Sequence, residues 1–218
     1  MYVSTNNSGL SNRIKSLVSV IKLAEENNSD YKVKWDILDN YNKNNHILNC
    51  SFEKLFSNNI EIKEIKEDYK IYNHHCLSVS DKDNIPKNFN TFKSNLKKKP
   101  MTFNDRFNRN IDFMYNKIPD NVKIKYINYF KNLKLNKDLQ EKVDNFSKNF
   151  NENTISIHIR SWNRKNEESR KSLFNLNKYI ELINKYPKNN FFLSSDSKEV
   201  LLKLKNIYKD RLIYYPRN

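Results

Sequence analysis

Glycine is almost absent from this chain: Gly9 is the single glycine among 218 residues. A sequence that avoids glycine so strongly should keep it where the backbone needs a positive φ angle or where a ligand approaches the main chain. Gly9 follows a short apolar segment, Tyr2-Val3-Ser4, and precedes an amphipathic helix predicted over 11–27. A strand, a tight turn and a helix N-terminus together form a natural site for an anion or a nucleotide. The local sequence leaves open that Gly9 only forms the turn.

Cysteines and long apolar runs are also scarce, and each scarcity excludes a class of protein. Cys50 and Cys76 have no metal-binding spacing and are too few for a disulfide framework. His74-His75 precedes Cys76, but neighbouring residues of a strand face opposite ways, so we expect no metal site there. No apolar run approaches the roughly 20 residues of a membrane-spanning helix, and the first residues lack the apolar core of a signal peptide. We therefore expect reduced thiols and a cytoplasmic protein.

Basic residues are abundant, and the formal net charge is +15. This balance is typical of nucleic-acid-binding proteins, but the charges are spread along the chain and no nucleic-acid-binding motif accompanies them. A positive surface also attracts phosphates, nucleotide sugars and anionic membranes. We expect no specific nucleic-acid partner, and peripheral contact with an anionic membrane is the alternative to a purely cytoplasmic location.

Hydrophobic periodicity predicts an α/β protein with two halves. Residues 1–37 predict a β-α-β unit whose second strand covers 31–37. The middle of the chain is less regular, with a short helix over 51–56, alternation over 60–65 and 69–72, and mostly loop over 77–110. Helices predicted over 119–130 and 136–150 connect it to a β-α-β-α-β pattern, with elements over 154–159, 177–186, 190–194, 198–208 and 211–215. We expect an N-terminal domain over 1–135 and a C-terminal domain over 136–218 that begins with the connector helix.

The motif His158-Ile159-Arg160 closes the first strand of the last third. Ligands of doubly wound sheets bind beyond the carboxyl ends of the strands. His158 and Arg160 alternate with the isoleucines, so both project to one face of the strand. Arginine offers a planar fork of donors for phosphate oxygens, and histidine can donate to a phosphate or a sugar hydroxyl. The alternative is a hydrogen-bonded core histidine beside a surface arginine.

Three further groups of polar residues have both a structural and a functional interpretation. Ser195 and Asp196 close the next strand, where they either cap the following helix or face a phosphate or ribose. Asn12 and Arg13 open the first helix, either as a cap and a solvated charge or as ligand-binding groups. The segment 162–164 (Trp-Asn-Arg) is expected to form a loop over the His158 motif.

Two segments together resemble a known family, the fucosyltransferase superfamily. This superfamily contains the α1,2, core α1,6, nodulation-factor and protein O-fucosyltransferases. Gly9-Leu10-Ser11-Asn12-Arg13 resembles its Gly-Leu-Gly-Asn-Arg opening, and Ile157-His158-Ile159-Arg160 resembles its His-x-Arg motif. The run Phe192-Leu193-Ser194-Ser195-Asp196 resembles its later Ser/Thr-Asp motif. The resemblance covers residues 1–37 and 154–217 and leaves the middle of the chain unmatched.

The resemblance implies a GT-B-like fold of two facing Rossmann-like halves, with a C-terminal half shorter than usual. It also implies inverting, metal-independent transfer of fucose from GDP-fucose to a glycan, with no cofactor. Arg160 would then hold the β-phosphate, and His158 would contact the donor as a second catalytic residue. Ser195 and Asp196 would line the nucleotide pocket. Gly9, Asn12 and Arg13 would belong to the donor site from the N-terminal, acceptor-side half.

The chain also departs from the family pattern. Ser11 replaces the second glycine, and Ser161-Trp162-Asn163 stands where an aspartate usually follows the arginine. The sequence also stops soon after Tyr215-Pro216-Arg217, where such enzymes continue with another strand and helix. An inactive relative that keeps the fold as a binding module is therefore the main alternative, and a basic nucleic-acid-binding protein is the second. The residues identify no general base.

Overall fold

The computed structural model describes residues 1–6, 8–35, 50–74, 76–79, 83, 92–93, 109–111, 119–161 and 171–216. Within it the chain forms two compact units, Met1–Lys137 and Asp138–Asn218. Both units contain a parallel three-stranded sheet with helices in the connections, so the fold is mixed α/β.

The first unit is built around the strand β1 (Tyr2–Ser4), which lies between β2 (Tyr31–Val33) and β3 (Lys70–Tyr72). Both neighbours run parallel to β1. All three residues of β1 are buried, as a central parallel strand requires. The helix α1 (Leu10–Glu26) connects β1 to β2. The β-α-β unit predicted at the start of the chain is therefore present, with a second strand that ends at Val33.

The helix α1 forms because apolar residues recur at helical spacing and neither glycine nor proline interrupts them. Its buried face packs into a core with Trp35, Phe52 and Tyr126. The helix ends where Asn28 adopts a left-handed backbone with φ of 47°. Asparagine tolerates this conformation better than most residues and here fills the position that glycine usually takes after a helix.

The middle of the first unit contains more structure than the sequence predicts. A short helix, α2 (Phe52–Leu55), is present as expected. The segment predicted as mostly loop contains three strands, β4 (Leu77–Val79), β5 (Phe92–Lys93) and β6 (Arg109–Ile111). They form an antiparallel sheet in the order β4-β6-β5. These strands have two or three residues each, too short for alternation to reveal them. The predicted alternation over 60–65 gives only an isolated bridge between Glu61 and Val33.

The first unit contains a buried ionic cluster that was not predicted from the sequence. Lys22 is a charged residue of α1, yet its side chain is fully buried. Its ammonium group pairs with Asp83 at 2.7 Å and with Glu26 at 2.9 Å. A buried lysine keeps its charge only beside such partners, and Asp83 is remote in sequence.

The helix α3 (Asp120–Asn132) belongs to the first unit, and α4 (Lys137–Ser147) forms the start of the second unit. Its elements alternate as predicted, in the order β7 (Thr154–Ile159), α5 (Leu176–Asn184), β8 (Asn190–Ser195), α6 (Lys198–Tyr208) and β9 (Leu212–Tyr214). The strands pair in parallel in the order β7-β8-β9. One face of this sheet packs on apolar residues of α5 and α6, including Ile183 and Leu204. Aromatic side chains of Phe146 and Phe150 contact Phe192, with ring centroids 5.8 and 5.1 Å apart.

Candidate functional site

The loop between β1 and α1 contains the single glycine, and its backbone corrects the sequence-based expectation. Gly9 has φ of −60° and ψ of 160°, an extended conformation that any residue adopts. Of the two reasons predicted for a glycine at this position, a positive φ angle is therefore wrong, and the close approach of a ligand stays a prediction. The residue serves as the N-cap of α1, and its carbonyl accepts hydrogen bonds from the amides of Asn12 and Arg13. A Cβ atom added at Gly9 would meet no atom of the described residues within 4 Å, so with respect to those residues the space above this backbone is open.

Hydrogen bonds fix the loop immediately before Gly9. The Asn6 side-chain oxygen accepts from the Ser8 amide at 3.0 Å and from the Ser8 hydroxyl at 2.5 Å. The Asn6 amide group in turn donates to the carbonyl of Asn73, just beyond β3, at 3.4 Å. From β1 the chain first forms β2 on one side of β1 and then β3 on the opposite side. Open α/β sheets bind ligands in the crevice where the strand order reverses in this way. Asn6 was not predicted as a site residue, because only this strand order places it beside the crevice.

Arg13 is neither a solvated charge nor an exposed ligand-binding group. Its side chain is buried, with 1% of its surface exposed. The Nε–H donates to the carbonyl of Ser8 at 2.8 Å, and the guanidinium lies 4.9 Å from the ring centroid of Trp35. Arg13 therefore braces the loop from inside the first unit, whereas Asn12 remains half-exposed at the start of α1.

The carboxyl ends of β7 and β8 bring the predicted residues of the second unit together. The two strands are in register, with Ile159 opposite Ser195, so Arg160 and Asp196 follow side by side. Arg160 Nε lies 3.4 Å from Asp196 Oδ2. His158 is exposed, so it is not a core histidine. Its neighbours Ile157 and Ile159 are half-buried and buried, respectively.

The Asp196 carboxylate is the centre of this arrangement. Its Oδ1 atom accepts from the Ser161 amide at 2.7 Å and from the Ser161 hydroxyl at 2.9 Å. Partial burial acts to raise the pKa of Asp196, but the hydrogen bonds from Ser161 and the charge of Arg160 outweigh it and lower the pKa below its ordinary value. Ser161 was not singled out from the sequence, although it directly follows the His158-Ile159-Arg160 motif.

The helix cap at the end of β8 belongs to another residue. Ser197 caps α6, because its hydroxyl accepts from the Val200 amide at 3.3 Å. The hydroxyl of Ser195 accepts from the Ser197 amide at 3.2 Å. Asp196 is therefore not the N-cap, and its carboxylate faces the end of β7.

An apolar groove of about 350 Å³ adjoins β7. It is lined by residues of β7, including His158, by Tyr179 of α5, by Tyr186 just beyond that helix and by Phe191 of β8. His158 thus lies between the groove and the strand end that carries Arg160.

Several sequence-based expectations fall on other parts of the chain. Trp162, Asn163 and Arg164 lie outside the described residues. Within the described ranges, no group of three or more His, Cys, Asp or Glu side chains is placed to hold a metal ion. A search of the same ranges for a helix with the length and apolarity of a membrane span finds none.

Comparison with known proteins gives a match in structure but not in sequence. No protein-family model matches the chain, and no curated protein is significantly similar to it in sequence. The fucosyltransferase NodZ from Bradyrhizobium superposes with a TM-score of 0.53 at 15% identity, over 99% of this chain and 78% of NodZ. NodZ α-1,6-fucosyltransferase soaked with GDP-fucose matches with the same TM-score over 100% of this chain, and the GDP co-crystal matches over 99%. This chain therefore has a fucosyltransferase-like fold, similar to that of NodZ.

Proposed function

We propose that this protein is a glycosyltransferase that transfers fucose from GDP-fucose, or the sugar of a related GDP-sugar, to a glycan acceptor. The transfer proceeds without a metal ion and with inversion at the anomeric carbon. In this proposal the second unit binds the donor nucleotide and the first unit serves the acceptor side, within a GT-B-like arrangement.

One observation carries the proposal. An arginine and an aspartate pair at the adjacent carboxyl ends of two parallel strands. The fold of the chain is similar to that of an enzyme that was soaked with GDP-fucose and co-crystallised with GDP. Ligands of open α/β sheets bind beyond these strand ends. Arg160, which is 31% exposed, combines access to solvent with a fixed inner edge.

The chemistry of the transfer explains why an arginine belongs there. As the bond between sugar and diphosphate breaks, negative charge grows on the leaving diphosphate. A fixed guanidinium binds two phosphate oxygens at once and stabilises that charge without reorganising. Arg160 takes this role in the proposal, and it supplies the positive charge that a metal ion supplies in other transferases.

The remaining residues have supporting roles in this proposal. The exposed His158 contacts the donor as a second catalytic residue, and Ser195 lines the nucleotide pocket. Gly9 and Asn12 border a substrate in the first unit, where the backbone above Gly9 is open. Arg13 contributes by bracing this loop.

Isothermal titration with GDP, with and without EDTA, tests the donor site. We expect saturable binding of GDP that EDTA leaves unchanged. Transfer is then assayed from GDP-fucose to a panel of glycans, and nuclear magnetic resonance of the product reads its anomeric configuration. Binding without hydrolysis or transfer across the panel would identify the chain as an inactive binding module. A protein that ignores GDP and binds RNA or DNA with a steep salt dependence would instead be a nucleic-acid-binding protein.

A further inference from the structure

We propose that Ser161 and Asp196 are positioning residues that hold Arg160 in the orientation that binds the donor's diphosphate. This inference rests on the proposed function and concerns the same site. It assigns a role to Ser161 and makes Asp196 act through Arg160 instead of touching the nucleotide.

The geometry of the carboxylate supports the first step. Oδ1 of Asp196 accepts two hydrogen bonds from Ser161, one from the amide at 2.7 Å and one from the hydroxyl at 2.9 Å. A carboxylate oxygen has about two acceptor positions, so Ser161 uses both positions of Oδ1. Ser161 is itself fully buried, and its two donors fix the rotation of the carboxylate.

The second step follows from the other carboxylate oxygen. With Oδ1 held by Ser161, Oδ2 faces Arg160 and lies 3.4 Å from its Nε atom. The contact therefore uses the inner edge of the guanidinium. An arginine side chain has many rotamers, and fixing it before the ligand arrives reduces the entropy that is lost on binding.

The same contacts argue against the two other roles that the sequence allows for Asp196. It is not the N-cap of α6, because Ser197 accepts the hydrogen bond from the Val200 amide. It is not a solvated nucleotide ligand either, because only 16% of its side chain is exposed and both oxygens already contact the end of β7. Two roles of these contacts can be distinguished by experiment: positioning of Arg160, or a staple, in which the contacts only hold the two strand ends together.

The preference for GDP over GMP separates these roles. Only GDP carries the β-phosphate that Arg160 binds in the proposed function, so a misplaced guanidinium should weaken GDP more than GMP. Titration calorimetry on Ser161→Ala and Asp196→Asn gives both dissociation constants. The Asp196→Asn side chain has an NH2 group in place of one carboxylate oxygen. This group then faces another hydrogen-bond donor, on either Ser161 or Arg160. We expect the ratio of the GMP to the GDP dissociation constant to fall about tenfold in this variant, because it removes the negative charge that pairs with the guanidinium of Arg160. Ser161→Ala keeps the amide donor and the charge of Asp196, so it should lose less, about threefold.

Ser197→Ala is the matched control, because it removes a buried hydroxyl that caps α6 and makes no hydrogen bond to Asp196. It should lower the urea midpoint, as the loss of a helix cap does, and leave the ratio of the GMP to the GDP dissociation constant unchanged. If each of the three variants weakens the binding of GDP and of GMP by the same factor, the contacts are a staple and the positioning role is overturned.

Hydrogen exchange at the Nε–H of Arg160, followed by nuclear magnetic resonance in the protein without ligand, provides an independent readout. We expect slow exchange in the wild type, faster exchange in Ser161→Ala and Asp196→Asn, and no change in Ser197→Ala. Equal exchange in all four proteins overturns the inference whether or not GDP binds. A wild type with slow exchange that shows no GDP binding would instead overturn the proposed function and leave the Arg160 contact as a strand staple.

Discussion

Replacing Gly9 by alanine should leave the stability of this protein nearly unchanged. The backbone at Gly9 has φ of −60°, which alanine adopts without strain, and the added Cβ meets no atom of the described part of the chain within 4 Å. Losing glycine reduces the entropy of the unfolded chain and stabilises the fold by about 0.4–1 kcal/mol. Alanine is a poorer N-cap than glycine, which costs roughly 0.5–1 kcal/mol at the start of α1. The two effects offset each other to within about 0.5 kcal/mol.

The effect on activity should be much larger than the effect on stability. In the proposed function the open space above Gly9 borders a substrate, and the new methyl group enters that space. We expect the kcat/KM for sugar transfer to fall about tenfold or more, because a small misplacement at a reacting centre has a cost of this order. Urea unfolding measures the stability of each protein, and a donor-consumption assay measures the transfer.

Gly9→Ser is the matched variant for this experiment. Serine is a better N-cap than glycine, so this variant should gain up to about 0.5 kcal/mol of stability while placing a larger group in the same space. A Gly9→Ala protein destabilised by more than about 1.5 kcal/mol would contradict the backbone geometry described for this loop. Stable and fully active Gly9→Ala and Gly9→Ser proteins would remove the loop from the substrate site.

Three further predictions concern charged residues. Arg160→Ala should cost about 3–4 kcal/mol of transition-state stabilisation in kcat/KM, and Arg160→Lys should remain severely impaired because lysine lacks the planar fork; turnover near that of the wild type in either variant would exclude Arg160 from the mechanism. Arg13→Ala should lower the free energy of unfolding by about 2–4 kcal/mol, through loss of the Trp35 contact and of the bond to the Ser8 carbonyl, and an unchanged urea midpoint would refute the bracing role. The pKa of Asp196 is lowered in the folded state, so its contribution to stability should be present above its ordinary carboxyl value and be lost as the pH falls below it. Urea midpoints measured between about pH 3 and 7 should therefore show a shallower acid limb in Asp196→Asn, and parallel limbs would contradict the shift.

The elements with strong periodicity could be predicted from the sequence. The helix α1 and the alternating elements of the second unit are long enough for their apolar residues to show a period. The same pattern placed Arg160 and Asp196 at strand ends, and the parallel register of β7 and β8 brings them together. The small antiparallel sheet was missed, because strands of two or three residues have no measurable alternation and their partners are distant in sequence.

The side chains that the sequence misjudged are those whose environment is set by tertiary contacts. Arg13 was assigned to solvent or to a ligand, but it is buried against Trp35, and the burial of Lys22 against Asp83 has no signal in the sequence. The positive φ angle that was one of the two reasons expected for Gly9 was also wrong. Among the described residues, positive φ angles occur at Asn28 and Lys209. The single glycine of this chain therefore does not mark a position that needs a positive φ.

Calorimetric titration of the wild-type protein with GDP tests the central claim most directly, because the donor site is the basis of every functional role proposed for Arg160, His158 and Asp196. We expect saturable binding with one site per chain, an affinity for GDP greater than for GMP, and no change when EDTA is added. The Arg160→Ala protein should lose the preference for GDP and remain folded by circular dichroism. Absence of GDP binding to the wild type at millimolar concentration would contradict the account.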